Sequence, residues 1–243
     1  MIHIVTQLRN ESKRIEEWIK YHNRLGVSNF IIYDDNSIDN SKEIINKISN
    51  NYSIKLFDSN KIGRYVNSDN PNEYGIIDAV RRVVDSYNKG LLYIKQHYNE
   101  NDWIAFIEVD EFLVPQKKDY GLLDIISNIN FDKIYVSSYD FKCPFDLNKS
   151  IINQTFLRWS DNTRNFMKNG YFSGRGKTIV KIRSIDSVND IHHINNSIKY
   201  INDNELIKIN HYRNNSLLPI FDYEDRKIME WNDENIIDKP SVL

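Results

Sequence analysis

The chain has 243 residues, a formal net charge of −2, 40% hydrophobic residues and 12% aromatics; this is enough chain for one sizeable core, and the charge excludes the basic footprint of a nucleic-acid binder. Cys143 is the only cysteine, which excludes an internal disulfide and a cysteine-based zinc site. No segment approaches the roughly 18 apolar residues of a membrane span, and MIHIVTQLRNESKR lacks the basic and apolar regions of a signal peptide, so the expectation is a cytoplasmic chain, whole or cut from a larger membrane-tethered protein.

In chain order, Ile2 to Leu8 is an apolar run of strand length. Ile15, Trp18, Ile19, His22 and Leu25 follow at helical spacing, with Gly26 as the stop. Phe30 to Tyr33 is a second buried-type strand, broken by the turn-rich DDNSIDNS. Asn40 and Glu43 suit a variant capping box ahead of a helix carrying Ile44, Ile45 and Ile48. Ile54 to Phe57 predicts a third strand. Ile76, Ile77, Val80, Val83, Val84 and Tyr87 mark a long helix, and Trp103 to Ile107 a fourth strand. Further on, Lys133 to Tyr139, Lys177 to Ile182 and Leu206 to His211 alternate as strands do. Asp140 to Gly176 reads as irregular, and Leu218 to Trp231 as a closing helix. Ile, Asn, Lys and Tyr are abundant while Ala79 and Ala105 are the only alanines. This is the bias of an AT-rich genome and lends no functional weight to the asparagine pairs.

The strand–helix alternation of the first half predicts an α/β fold: a mostly parallel sheet flanked by helices, followed by a less regular C-terminal region. We expect one domain over 1–243, with halves at 1–115 and 116–243. Open α/β sheets bind ligands at the carboxyl ends of their strands. Three polar clusters fall at such ends: Thr6-Gln7-Arg9-Asn10-Glu11, Asp34-Asp35-Asn36-Ser37, and Glu108-Asp110-Glu111. In the last, strand alternation would send Glu108 and Asp110 to one side and Glu111 to the other. Two carboxylates on one side, at the end of a buried strand, can hold a divalent cation that faces a phosphate group.

The ordered set NES, EEWIKYHNRLGVSNFIIYDDNSIDNS, DWIAFIEVDEFLVP, GKTIVK, HH and INHYRNNS resembles GT-A glycosyltransferases, the family 2-like proteins and their family 92 relatives. The resemblance reaches from the N-terminus to about Ser216. It implies a metal-dependent enzyme that moves a sugar from a nucleotide-sugar donor, best a UDP-sugar, to a hydroxyl on a glycan, protein or lipid-linked acceptor, with inversion. Carried over, Thr6, Arg9, Asn10, Glu11, Asp34 and Asp35 contact the base and ribose, with Asp35 favoured. The same DDNSIDN residues also suit an Asx turn and a helix cap. Relatives usually read DVDEF where this chain reads EVDEF, so Asp110 is the firmer ligand, while contact from Glu108 is direct, through water, or absent.

The cation that the resemblance implies is Mn²⁺ or Mg²⁺, which can neutralise the charge of the departing nucleoside diphosphate. Mn²⁺ accepts imidazole as well as oxygen, leaving His193 or His211 as a third ligand. Arg64, Arg175, Lys177, Lys181 and Arg213 are the basic candidates for the phosphates, with Lys177 and Arg213 favoured. Inversion needs a general base on the acceptor hydroxyl; Asp161 is the first candidate, with Asp140 and Asp203 as competitors. Trp159, Phe166, Tyr171 and Phe172 could stack on a sugar or simply pack. Two other readings stay open. A degenerate, non-catalytic sugar- or nucleotide-binding domain is compatible with Glu108. A nucleotidyltransferase would be expected to carry a glycine-rich phosphate loop near the first strand, and TQLRNES has no glycine.

Overall fold

The computed structural model describes residues 1–59, 75–116, 120–142, 157–159, 167–168, 171–172, 176–192, 201–202, 206–212 and 228–230, with backbone placement alone at 75–79, 139–142 and the short strands beyond 156 other than the segments 176–192 and 206–212. Arg64, Asp161, Phe166, His193, Asp203 and Arg213 lie outside the described residues, and Asp140 is placed only as part of a strand.

The first half folds as the alternation predicts. Strand β1 (Ile2–Leu8) is followed by α1 (Ile15–Arg24), β2 (Asn29–Asp34), α2 (Ser41–Ile48), β3 (Ile54–Asp58), α3 (Gly75–His97) and β4 (Trp103–Phe106). The four strands are parallel in the order β3-β2-β1-β4. Alternating side chains feed two cores, as a strand period of two requires. Ile2, Ile4, Phe30 and Ile32 pack with Trp18 and Ile19 of α1 and Ile45 of α2. Val5, Ile31 and Ile104 pack on the opposite face with Tyr87, Leu91 and Ile94 of α3. That face needs Gly90, where a Cβ would overlap the Val5 side chain. Gly26 ends α1 at φ +95, the left-handed turn that favours glycine. No helix of the described residues is long and apolar enough to cross a membrane.

One local expectation fails here. Asn40 precedes α2 but makes no side-chain capping bond. Asp39 does the work instead: its Oδ1 accepts the Ser41 N–H at 3.0 Å and its Oδ2 the Ser12 N–H at 2.9 Å. An aspartate one residue earlier reaches two backbone donors that the Asn40–Glu43 pair leaves alone.

The second half is antiparallel and mixed. It comprises β5 (Glu111–Pro115), α4 (Leu122–Ile126), β6 (Lys133–Lys142), β7 (Leu157–Trp159), β8 (Met167–Lys168), β9 (Tyr171–Phe172), β10 (Gly176–Lys181), β11 (Ile201–Asn202), β12 (Ile207–Tyr212) and β13 (Ile228–Glu230). Strand β10 runs antiparallel between β4 and β6 and so joins the halves into one sheet. Strand β12 is parallel to β6 and antiparallel to β5. Two expectations change. Ile228–Glu230, expected at the end of a helix, is a strand antiparallel to Leu157–Trp159. Within the stretch expected to be irregular, the start belongs to β6 and three short strands follow. At Ile228–Glu230 a pairing partner distant in sequence overrides local periodicity.

Strand β5 pairs with β12 along one edge, and α1 covers the other. The Trp18 Nε1–H donates to Glu111 O at 2.8 Å and the Tyr21 hydroxyl to Leu113 O at 2.9 Å, while the Leu113 N–H donates to His22 Nε2 at 3.2 Å. Helix side chains thus satisfy backbone groups that an edge strand would otherwise expose.

Candidate functional site

The carboxyl end of β4 does not continue as an extended strand. It curls at 107–110 before β5 begins, closed by the Glu111 N–H donating to Glu108 O at 3.0 Å. The Glu108 N–H in turn donates to Glu111 Oε2 at 2.9 Å. Strand alternation therefore does not apply across these residues, and Glu111 joins Glu108 instead of pointing away. Both meet Lys177 of β10, whose Nζ lies 3.2 Å from Glu108 Oε2 and 3.3 Å from Glu111 Oε2. Lys177 and Glu111 are buried, at 0% and 1% exposure.

Asp110 has a different partner. The register of β12 sets His211 opposite Glu111, and His211 Nε2 lies 3.3 Å from Asp110 Oδ2. One ligand atom each from Glu108, Asp110 and His211 lie within 4.8 Å of one another. Two carboxylates and an imidazole form a donor set suited to Mn²⁺, and the carboxylates alone suit Mg²⁺.

The electrostatics separate the three acids. Burial pushes the Asp110 carboxyl up, but the charge and hydrogen bond of His211, with Arg14 and Lys177 nearby, bring it down to about 2. Lys177 holds the Glu108 carboxyl below its ordinary range against the effect of burial. Burial raises Glu111 to about 6 despite Lys177, with Glu108 adding to the rise. Burial works against the Lys177 ammonium, but Glu108 and Glu111 keep it charged.

The second cluster forms at the ends of β1 and β2. The Asx turn is present: Asp34 Oδ2 accepts the Ser37 N–H at 3.1 Å and lies 3.1 Å from Lys42 Nζ. Among the described residues, Asp34 Oδ1 is buried without a hydrogen-bond partner. Asp35 is clamped, with Oδ2 2.6 Å from Arg82 Nη2 and Oδ1 accepting from the Ser59 hydroxyl at 3.2 Å. Asn10, at φ 57, donates its N–H to Ser37 Oγ and accepts the Ile38 N–H on its side-chain oxygen, each at 2.9 Å. The Glu11 N–H donates to Ser41 Oγ at 2.8 Å. The Glu11 carboxylate takes a two-pronged contact from Arg14, at 2.7 and 2.8 Å, and burial lifts its carboxyl to about 7 against the pull of that guanidinium. Thr6 is buried, its hydroxyl 3.3 Å from Gln7 O, and Arg9 is exposed.

The structure therefore brings Glu108, Asp110, Lys177 and His211 together, and links Asn10 and Glu11 to the turn after Asp34 and Asp35. It adds residues that the sequence did not single out. Arg14 and Arg82 lie outside the motifs, although the acids they pair with, Glu11 three residues away and Asp35 on another element, lie within them. Glu111 was misassigned by assuming an extended strand. His192 faces this region as well: its Nδ1 sits 3.2 Å from Gly176 O, and burial, helped by Lys177, lowers it to about 4.

The sequence model of glycosyltransferase family 92 matches residues 5–240. The chain is similar to a glycosyltransferase family 92 protein of Ricinus communis, 28% identical over 221 residues that cover 86% of this chain and 35% of that protein. It is also similar to a family 92 protein of Oryza sativa subsp. japonica, 30% identical over 111 residues, covering 45% of this chain and 15% of the relative. The chain thus spans about a third, or less, of the length of these relatives. Among solved structures it is similar to S. aureus TarS residues 1–349 in complex with UDP-GlcNAc, at 13% identity and a TM-score of 0.46, covering 88% of this chain and 58% of that one.

Proposed function

The chain belongs to glycosyltransferase family 92, and from that premise we propose that it transfers a sugar from a UDP-sugar to a hydroxyl acceptor, with a divalent cation held by Glu108, Asp110 and His211. The observation that carries this reading is the convergence of those three ligand atoms within 4.8 Å at the carboxyl end of a parallel strand. When bound there, Mn²⁺ or Mg²⁺ would neutralise charge that develops on the departing diphosphate.

The chain's own residues divide the remaining work. Asp34 Oδ1, buried and without a donor, is suited to accept from a base N–H or a ribose hydroxyl. This shifts the weight of nucleotide recognition from Asp35, whose oxygens already meet Arg82 and Ser59, to its neighbour. Lys177 neutralises part of the acid cluster and keeps Glu108 ionised next to the cation position. The acceptor hydroxyl's proton goes to a carboxylate base, for which Asp161, Asp140 and Asp203 remain the candidates. Transfer with inversion follows from direct displacement with such a base.

The test is thermal stabilisation by UDP with and without Mn²⁺, followed by sugar release from a panel of UDP-sugars. A ligand that binds the native state raises the melting temperature. A rise with UDP that grows with Mn²⁺, together with sugar release, supports the proposal. No rise with any nucleoside diphosphate would reject it, and binding without sugar release would favour a non-catalytic binding domain.

A further inference from the structure

Arg14 sits where the two clusters meet. It is 5% exposed and immediately precedes α1. Its Nε and Nη2 grip Glu11 on the nucleotide side, and its Nη1 donates to Tyr212 O at 3.1 Å. Tyr212 is the last residue of β12 and follows His211 directly. The Tyr212 N–H donates to Asp110 O at 2.8 Å. The end of β12 is therefore tied on one side to the backbone of Asp110 and on the other, through Arg14, to the loop after β1. His211 and Asp110 face each other across this tie.

We propose that Arg14 is a positioning residue for the cation site, holding the Asp110–His211 pair at ligand spacing by fastening the end of β12 to the Glu11 loop. The inference rests on the cation reading above. A guanidinium suits the task because its planar fork spans a carboxylate and a carbonyl at fixed angles, where an ammonium acts as a point charge. The strand end matters because it carries a proposed ligand: loosening Tyr212 loosens the residue beside it and the Asp110 backbone together. Partners that orient metal ligands from outside the coordination sphere often contribute as much as a weak ligand.

The experiment measures Mn²⁺ affinity in the presence of UDP, by the electron paramagnetic resonance of free Mn²⁺, on the intact chain. The variants are Arg14→Met, Arg14→Lys, His211→Gln and the Arg14→Lys/His211→Gln pair. Arg14→Lys is the milder change, keeping the charge and the buried stem, and it carries the test if Arg14→Met does not fold. The expected result is a loss of Mn²⁺ affinity of about tenfold for Arg14→Lys, with little further loss when it is added to His211→Gln. That non-additivity is the signature of acting through His211. Unchanged Mn²⁺ affinity in Arg14→Lys, or full additivity with His211→Gln, would overturn the positioning role and leave the cation site standing. A wild-type chain that binds no Mn²⁺ with UDP present would remove the cation site, and this inference with it.

Discussion

At the end of β2, Asp34 and Asp35 meet a backbone N–H, Lys42, Ser59 and Arg82; at the end of β4, three carboxylates share one lysine and one histidine. Each turn has a lysine that bridges two acids. Lys42 joins Asp34 and Asp58 and is 34% exposed, whereas Lys177 joins Glu108 and Glu111 and is fully buried. The first turn is thus braced mainly by protein groups, with one oxygen of Asp34 left over. The second sets three carboxylates around one buried lysine and one histidine, with Glu111 and Lys177 buried and Glu108 and Asp110 partly exposed, and unbalanced charge there is costly. A divalent cation would balance that charge, which is why the chemistry is assigned to the second turn and recognition to the first.

Substitutions can break this division directly. Asp110→Ala should lower kcat/KM for sugar release by about 10³-fold and remove the Mn²⁺-dependent part of UDP binding. Asp34→Ala should instead weaken UDP by about tenfold, the size of one lost hydrogen bond to a polar ligand, and by the same factor with and without Mn²⁺. Titration calorimetry of UDP at both conditions measures the two effects. An Asp34→Ala chain that lost its Mn²⁺ response, or an Asp110→Ala chain that kept it, would mean that the turns do not divide the work this way.

The bracing of the first turn has its own consequence. Asp35→Ala removes one charged partner of a buried guanidinium and should destabilise the fold by about 3 kcal/mol, read from urea unfolding. Replacing both partners, as Asp35→Leu with Arg82→Met, should recover much of that loss, because buried ion pairs are often matched by apolar side chains of similar volume. If Asp35→Ala unfolds at the wild-type urea concentration, the clamp is not structural and Asp35 returns as the nucleotide's partner.

The parallel half was legible in the sequence because its strands are short apolar runs between helices with clear faces; Ile2 to Leu8 and Trp103 to Ile107 announce themselves. Asp110 and His211 were legible as residues, through the motifs around them. What could not be read was their spacing from each other, since it depends on β12 pairing with β5 about a hundred positions away. The curl at 107–110 also escaped, because its closing bonds join Glu108 and Glu111 to each other, a local choice that strand periodicity does not encode. Leu218 to Trp231 was misread at Ile228–Glu230 for the related reason that a strand partner at Leu157–Trp159 outweighs helical spacing. Arg14 and Arg82 carry no motif of their own; only their partners reveal them.

The smallest effect at neutral pH comes from the helix that backs β5. His22 is fully buried, its Nδ1 2.9 Å from Trp18 O and its Nε2 accepting the Leu113 N–H. Those two contacts require a neutral ring with the proton on Nδ1, because a second ring proton would face the Leu113 N–H. Burial accordingly lowers His22 from 6.5 to about 3, against the Trp18 carbonyl. A histidine depressed in the folded state contributes stability that is present above its unfolded value and lost as pH falls toward the folded one. Below pH 6.5 the unfolded chain takes up a proton that the folded chain refuses, so His22 should remove about 1.4 kcal/mol of stability per pH unit down to about 3. His192, lowered to about 4, works in the same direction, so the measurement is a difference: unfolding free energies of wild type and His22→Gln between pH 7.5 and 4.5, with glutamine unable to ionise. The variant should be less stable at pH 7.5 and lose the His22 share of the slope. Equal slopes would mean that the ring is protonated without penalty, and that the grip of α1 on β5 does not depend on the neutral imidazole.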